Sequence, residues 1–257
     1  MDEISRLRWV VIFLIFLVRP SFSNTHGDCI KLSSEKEINE QLALDSGLRT
    51  KLGTTHYGAR YSFGALESLV EGVNKAKDFG FPVIKIWLSA KGNQMERGYQ
   101  FNHDWSWIKS NISLVDLAKS KEFKSVFSTD IGTYIIEVNT HDDKGWVEHP
   151  FKQDYFDYVE RQFFDLSYYL LNFYKDTNKI FILHNWSGDR MLQGVGRHFG
   201  KKFLEGDKLS LPSDISFRIE GLVRLFKARQ RGVERSRKVV LNSKSKVYHG
   251  VKLNRVW

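Results

Sequence analysis

Two rhythms of apolar residues alternate along the chain. Short runs rich in β-branched and aromatic residues are separated by longer stretches whose apolar positions fall three and four apart. The first rhythm marks strands covered in a sheet and the second marks helices with one covered face. Thr54 to Tyr61 predicts a first strand and the loop leaving it. Leu66, Leu69, Val70, Val73 and Ala76 predict a helix over 65–79, which Gly80 ends. A second strand follows over 81–88, with Pro82 tolerated only because it stands at the strand's start. Residues 93–110 read as a loop holding Tyr99, Phe101, Trp105 and Trp107, and 114–123 as a short helix.

The third strand is predicted at 133–138 and the fourth at 179–183. Between them, Phe156, Val159, Phe163, Leu166, Leu170 and Phe173 predict one long helix over 151–174. A later helix is predicted over about 216–235, carried by Ile219, Leu222, Val223, Leu225 and Phe226, and a fifth strand over 247–251. The connections are long enough for parallel crossovers, so the expected class is α/β with a parallel sheet. Gly58 and Gly64 lack the neighbours of a glycine-rich phosphate loop, which makes a nucleotide fold the weaker alternative and leaves no cofactor expected.

The N-terminus departs from this alternation. Arg6 and Arg8 precede the apolar run Trp9 to Val18, followed by Pro20 and Ser21-Phe22-Ser23. A basic region, a short apolar core and small residues describe a signal peptide over 1–23, and Arg19 closes the run too early for a membrane span. No later segment is apolar and long enough to span once the signal is removed. The expected product is therefore secreted, with a polar lead at 24–50 and one domain over 51–257. Its single cysteine, Cys29, has no internal partner for a disulfide. Export would also bring the acceptor patterns at Asn111 and Asn185 into play, Asn111 being the better placed in a polar connection.

The 257 residues are 42% apolar and 27% charged, enough for one substantial core, with a formal charge of +9. Beyond Arg190 the basic residues, among them Arg218, Arg224, Lys227, Arg229, Arg231, Arg235 and Arg237, far outnumber the acidic ones. Such a field suits an anionic glycan, a lipid surface or nucleic acid, but the favoured reading is a solvated helix face. No nucleic-acid module accompanies it, so nucleic acid is not the expected partner.

The stretches 72–80 (GVNKAKDFG), 83–88 (VIKIWL), 181–189 (FILHNWSGD) and 228–233 (ARQRGV) resemble a poorly characterised group of secreted proteins related to retaining glycoside hydrolases. The resemblance runs from about Leu52 to Trp257 and implies a TIM-barrel-like fold. It would cover roughly the first five of eight strand-helix units, so the expected barrel is incomplete at its C-terminal side, and a partner chain or a longer product would complete it. In that group an Asn-Glu pair at the fourth strand end supplies the general acid/base, carried as Asn-Trp-Glu-Gly-Asp. Here Asn185, Trp186, Gly188 and Asp189 match, and Ser187 stands where the glutamate would be. The resemblance also implies an acidic residue at the position of Lys252.

Retaining hydrolysis requires two carboxyl groups flanking the sugar bond, and a serine hydroxyl neither gives nor takes a proton efficiently near neutral pH. Asp189 and Glu137 are the weak catalytic candidates, Asp189 through a rearranged loop and Glu137 either in the barrel mouth or paired with a base such as Lys85. Their structural alternatives are a loop-fastening aspartate and an internal ion pair. Tyr57, Trp87, Asn185 and Trp186 are the candidate carbohydrate contacts, as stacking rings and a hydroxyl-binding amide, or else as packing and loop-fastening groups. His184 and His249 lack short-spaced ligand partners, so satisfied buried imidazoles are expected and no metal. Ser187 also lacks a Gly-x-Ser-x-Gly elbow.

Three functions remain open on the sequence. One is a secreted glycosidase-like protein with impaired hydrolysis and a carbohydrate-contacting cleft. Another is an active O-glycosyl hydrolase in a longer product, and the third a basic extracellular protein that binds anionic glycans or membranes.

Overall fold

The computed structural model describes residues 52–56, 67–90, 112–142, 144–148, 152–193 and 214–253, all within the compact unit Asp45–Trp257. The expected signal peptide and polar lead, Cys29, Tyr57, Asn111 and the loop 93–110 lie outside the described residues. The strands are β1 (Gly53–Thr55), β2 (Val83–Ser89), β3 (Thr133–Asn139), β4 (Ile180–His184) and β5 (Lys246–Gly250). The helices are α1 (Ser68–Asp78), α2 (Leu114–Ala118), α3 (Lys121–Ser128), α4 (Gly145–Glu148), α5 (Gln153–Phe173), α6 (Gly188–Gln193) and α7 (Ile215–Val239). No helix among the described residues is long and apolar enough to cross a membrane.

All four strand pairings are parallel, and the strands lie in the order of the sequence. Right-handed crossovers between successive neighbours place their helices on one face, whereas a doubly wound sheet must reverse its order to cover both. The result is an α/β fold with a partial barrel-like topology. Its helix-covered face carries Ile84, Ile86, Leu88, Tyr134, Ile136, Val138, Phe181, Leu183 and Val247, all inaccessible to solvent. Phe127 of α3 meets Tyr134 and Phe181 edge-on at 5.4 and 5.5 Å, which fixes that helix over β3 and β4.

Several expected boundaries shift. The helix expected over 114–123 is two helices, because Ser113 and Ser120 each accept a backbone N–H from the residue three further on and so open a new helix. The first helix ends as expected at Gly80, whose φ of +77° is costly for any residue with a Cβ. The late helix runs to Val239, four residues beyond the predicted end, and α4 and α6 are additions.

The basic stretch on α7 is not simply a solvated face. Arg229 is 3% exposed and its guanidinium lies 4.9 Å from the centre of the Phe163 ring. Arg224 and Arg235 stack over Phe156 and Phe164, and Arg237 over Tyr248. Glu160 of α5 receives Arg231 and Arg235, each at 2.6 Å. Burial opposes ionisation of this carboxyl, but the two guanidinium hydrogen bonds outweigh it and hold its pKa below the ordinary value. Much of the positive charge on α7 thus fastens α7 to α5.

Candidate functional site

Residues aligned across parallel strands point to the same face. Trp87, Glu137, His184 and Gly250 form one such row near the C-terminal ends of β2 to β5. Lys85, Ile135, Ile182 and Tyr248 form the row beneath it on the same face, away from the helices. Strand ends of this kind are where barrel-like α/β folds carry their chemistry. The polar interruptions Lys85, Glu137 and His184 within apolar runs therefore converge on one small region.

Glu137 and Lys85 form an ion pair, with Lys85 Nζ 3.7 Å from Glu137 Oε2. This is the internal pairing expected as one of two roles for Glu137. Burial raises the Glu137 pKa, while Lys85, Lys252 and the Trp87 indole favour its ionised form. Lys85 responds in the opposite sense: burial and then the positive charge of Lys252 bring its pKa down to about 8, against the pull of Glu137. Lys252, where the resemblance implies an acid, instead brings a second positive charge close enough to Lys85 to oppose its protonation.

His184 closes the row. Its Nδ1 lies 2.6 Å from the carbonyl oxygen of Asn185. That oxygen only accepts, so Nδ1 carries the proton and Nε2 presents a bare lone pair. Burial, and then the positive charge of Lys85, bring the His184 pKa down to about 3, so the ring is neutral. The Nε2 atoms of both His184 and His249 are buried without a hydrogen-bond partner, which corrects the expectation of satisfied imidazoles. His249 differs in facing the helices, where it meets Phe163 and Phe226. Among the described residues no group of three or more His, Cys, Asp and Glu side chains is placed to hold a metal.

Asn185 is fully buried and acts as a clamp. Its Oδ1 accepts the Lys252 N–H at 2.8 Å, and its Nδ2 donates to the Lys252 carbonyl at 3.1 Å and to the carbonyl of Trp186. This is the loop-fastening role. It leaves neither end of the amide directed at a ligand, and it closes this acceptor pattern to glycosylation in the folded chain. Gly188 completes the seam by donating to the Lys252 carbonyl at 2.9 Å. Asn185→Asp is expected to cost about 2–3 kcal/mol, because an acceptor-only carboxylate then faces two carbonyls. A denaturation midpoint equal to that of the wild type would contradict the clamp.

Ser187 is 1% exposed and stands immediately before α6, its carbonyl accepting the Met191 N–H at 2.9 Å. Serine is among the residues favoured at such a helix start. Asp189 lies in the first turn of the same helix, half-buried. The side chains acting most strongly on Glu137 are Lys85, Lys252 and Trp87. Trp186 is half-buried at the bend, and Trp87 is half-buried against the core in the Glu137 row. Tyr57 and Asn111 are not among the described residues.

The sequence did not single out Lys85 and Lys252 as a pair. Lys85 carried a signal, a basic residue two positions before Trp87 on the same strand face. Lys252 was marked only as a position where the resemblance implies an acid, and its approach to Lys85 was not legible, because the seam to Asn185 is what brings it over from the end of β5. A surface depression lined by Ser113, His141, Asp142, Lys152, Tyr158 and Gln162 lies beside the start of α5 and includes none of these groups.

Fold and site together define an α/β protein of partial barrel-like topology with a polar cluster at its strand ends. Comparison with known proteins finds no matching family model, no matching curated protein and no matching solved structure.

Proposed function

We propose that the protein is a secreted, glycosidase-like α/β protein that has lost hydrolysis and keeps a saccharide-contacting face at its strand ends. The observation that carries this reading is the position of Ser187: a residue with no usable acid, 1% exposed, stands where the resemblance puts the acid/base glutamate. Glu137 does not substitute for it, being occupied by Lys85 at 3.7 Å. Among the described residues the groups acting most strongly on this carboxylate are Lys85, Lys252 and the Trp87 indole, whereas retaining hydrolysis needs a second carboxyl. Trp87, half-buried beside this cluster, offers a ring for stacking on a sugar face. The N-terminal pattern of basic, apolar and small residues supports export, and Asn111 is the proposed site of glycosylation.

An active hydrolase in a longer product would need a further carboxylate from outside the described residues, and still an acid in place of Ser187. Binding of anionic glycans by α7 is less favoured, because Arg224, Arg229, Arg231, Arg235 and Arg237 are engaged in stacking or ion pairs. Binding of the full chain to an array of neutral and sulfated saccharides, repeated at rising salt, separates these readings. Stacking on a sugar face gives retention of neutral sugars that survives salt. Retention of sulfated sugars alone, lost steeply with salt, would overturn the proposal.

Ser187→Glu is expected not to create hydrolysis. A longer charged side chain must enter a sealed position at the start of α6, at a cost of about 2–3 kcal/mol from overpacking and burial of charge. Release of sugar by this variant, with a stable fold, would show that a second carboxyl is already in place.

A further inference from the structure

The cluster of Lys85, Lys252 and Glu137 has a chemistry that the glycosidase-like reading does not use. We propose that Lys85 is a carbonyl-reactive lysine that forms an imine with small α-oxo acids, with Lys252 as the group that receives the substrate carboxylate.

A lysine attacks a carbonyl only as the free amine, so it must be relieved of its proton near neutral pH. A buried stem and a second ammonium close by provide that relief, and both are present. The groups facing Lys85 from the neighbouring elements are Glu137 on β3, neutral His184 on β4 and Lys252 after β5. On the β1 side, His56 is turned away, its Nε2 lying 2.7 Å from the Ser68 carbonyl. The Lys85 side chain is 18% exposed, which admits a small reagent while Glu137 stays covered at 3%.

The reaction balances without an oxidant or reductant. The Lys85 nitrogen lone pair forms a C–N bond to the carbonyl carbon, and the π electrons move to oxygen, which takes a proton to give the carbinolamine. The C–O bond then breaks, and the oxygen leaves as water with the two protons of the starting amine. The Glu137 carboxyl, 3.7 Å from Nζ and raised in pKa by burial, is placed to relay those protons. With Lys85 neutral, the positive charge of Lys252 remains beside Glu137, and an α-oxo acid brings a carboxylate to it.

The test is reductive trapping on the full chain. The protein is treated with glyoxylate and cyanoborohydride at neutral pH, and the modified lysines are mapped by peptide mass spectrometry. Lys85 is expected to label at least about tenfold faster than exposed lysines, one pKa unit being a tenfold change in free amine. Its labelling should rise with pH to a midpoint of about 8. Lys252→Met should slow it by about tenfold at neutral pH as the Lys85 pKa climbs, while Lys252→Arg should keep it fast. Labelling spread over exposed lysines, with Lys85 not preferred, would overturn the assignment. A Lys85 rate unchanged in Lys252→Met would also overturn it. Wild-type mapping stands even where a variant fails to fold, and none of these outcomes depends on saccharide binding.

Discussion

Gly232→Ala is expected to destabilise the protein by about 2–4 kcal/mol, although alanine is the better helix former by about 1 kcal/mol. A Cβ at this position would lie 2.4 Å from the Glu160 carbonyl oxygen, 2.8 Å from the Phe164 nitrogen and 2.9 Å from the Phe163 Cβ. Two of these atoms are backbone and cannot rotate aside, so α7 must move off α5. That movement loosens the pairing of Arg231 and Arg235 with Glu160 and the seat of Arg229 on Phe163. Gly72→Ala is a useful contrast: the three atoms nearest its Cβ all belong to the His56 ring, from 2.2 Å, a side chain that can rotate aside at the cost of its hydrogen bond to the Ser68 carbonyl. A urea denaturation series on both variants checks this. Gly232→Ala with a midpoint at or above that of the wild type would show that the two helices do not cross this closely.

The second large effect is loss of stability in acid. His184 and His249 are held neutral, their pKa values brought down to about 3 against an ordinary 6.5, burial being the main cause in each. In both, the next contribution is a nearby positive charge, Lys85 for His184 and Arg229 for His249. The unfolded chain therefore takes up protons below 6.5 that the folded chain refuses. Stability is fully present above 6.5 and falls as the pH drops towards about 3, where the folded imidazoles charge. Each histidine contributes roughly 1.4 kcal/mol per pH unit, so the pair reaches several kcal/mol, comparable with the total stability of an ordinary domain. Glu137 acts in the opposite direction, because its raised pKa lets the folded state take up a proton first. One carboxyl does not offset two imidazoles. Thermal midpoints measured across this range should fall steeply in acid, and His249→Leu should make the fall about half as steep. A flat profile would place both rings in solvent.

The strands β2, β3 and β4 were legible because each is a short run rich in apolar residues, whose helix-facing side chains are fully buried while the opposite face is mostly half-buried. The long helix α5 was legible from its covered stripe. The break at Ser120 was less so, since one helix start lies within an otherwise continuous apolar pattern, and α6 is too short to show a period. At the site, a serine at 187 where the resemblance implies a glutamate, and a Lys85 pairing for Glu137, were open to sequence reasoning. The clamp from Asn185 to Lys252 was not, because it depends on β5 lying beside β4. Arg229 misled for a physical reason. Arginines are seldom buried, and here a guanidinium stacked on Phe163 is enclosed where small Ala228 and Gly232 let the helices approach.

A titration of the full chain with neutral oligosaccharides, with tryptophan fluorescence and released reducing ends followed in the same samples, tests the proposed loss of hydrolysis and the proposed sugar-contacting face together. The expected result is saturable binding, weakened in Trp87→Ala, with no release above the spontaneous rate. Release that scales with protein concentration and vanishes in Glu137→Gln would contradict it.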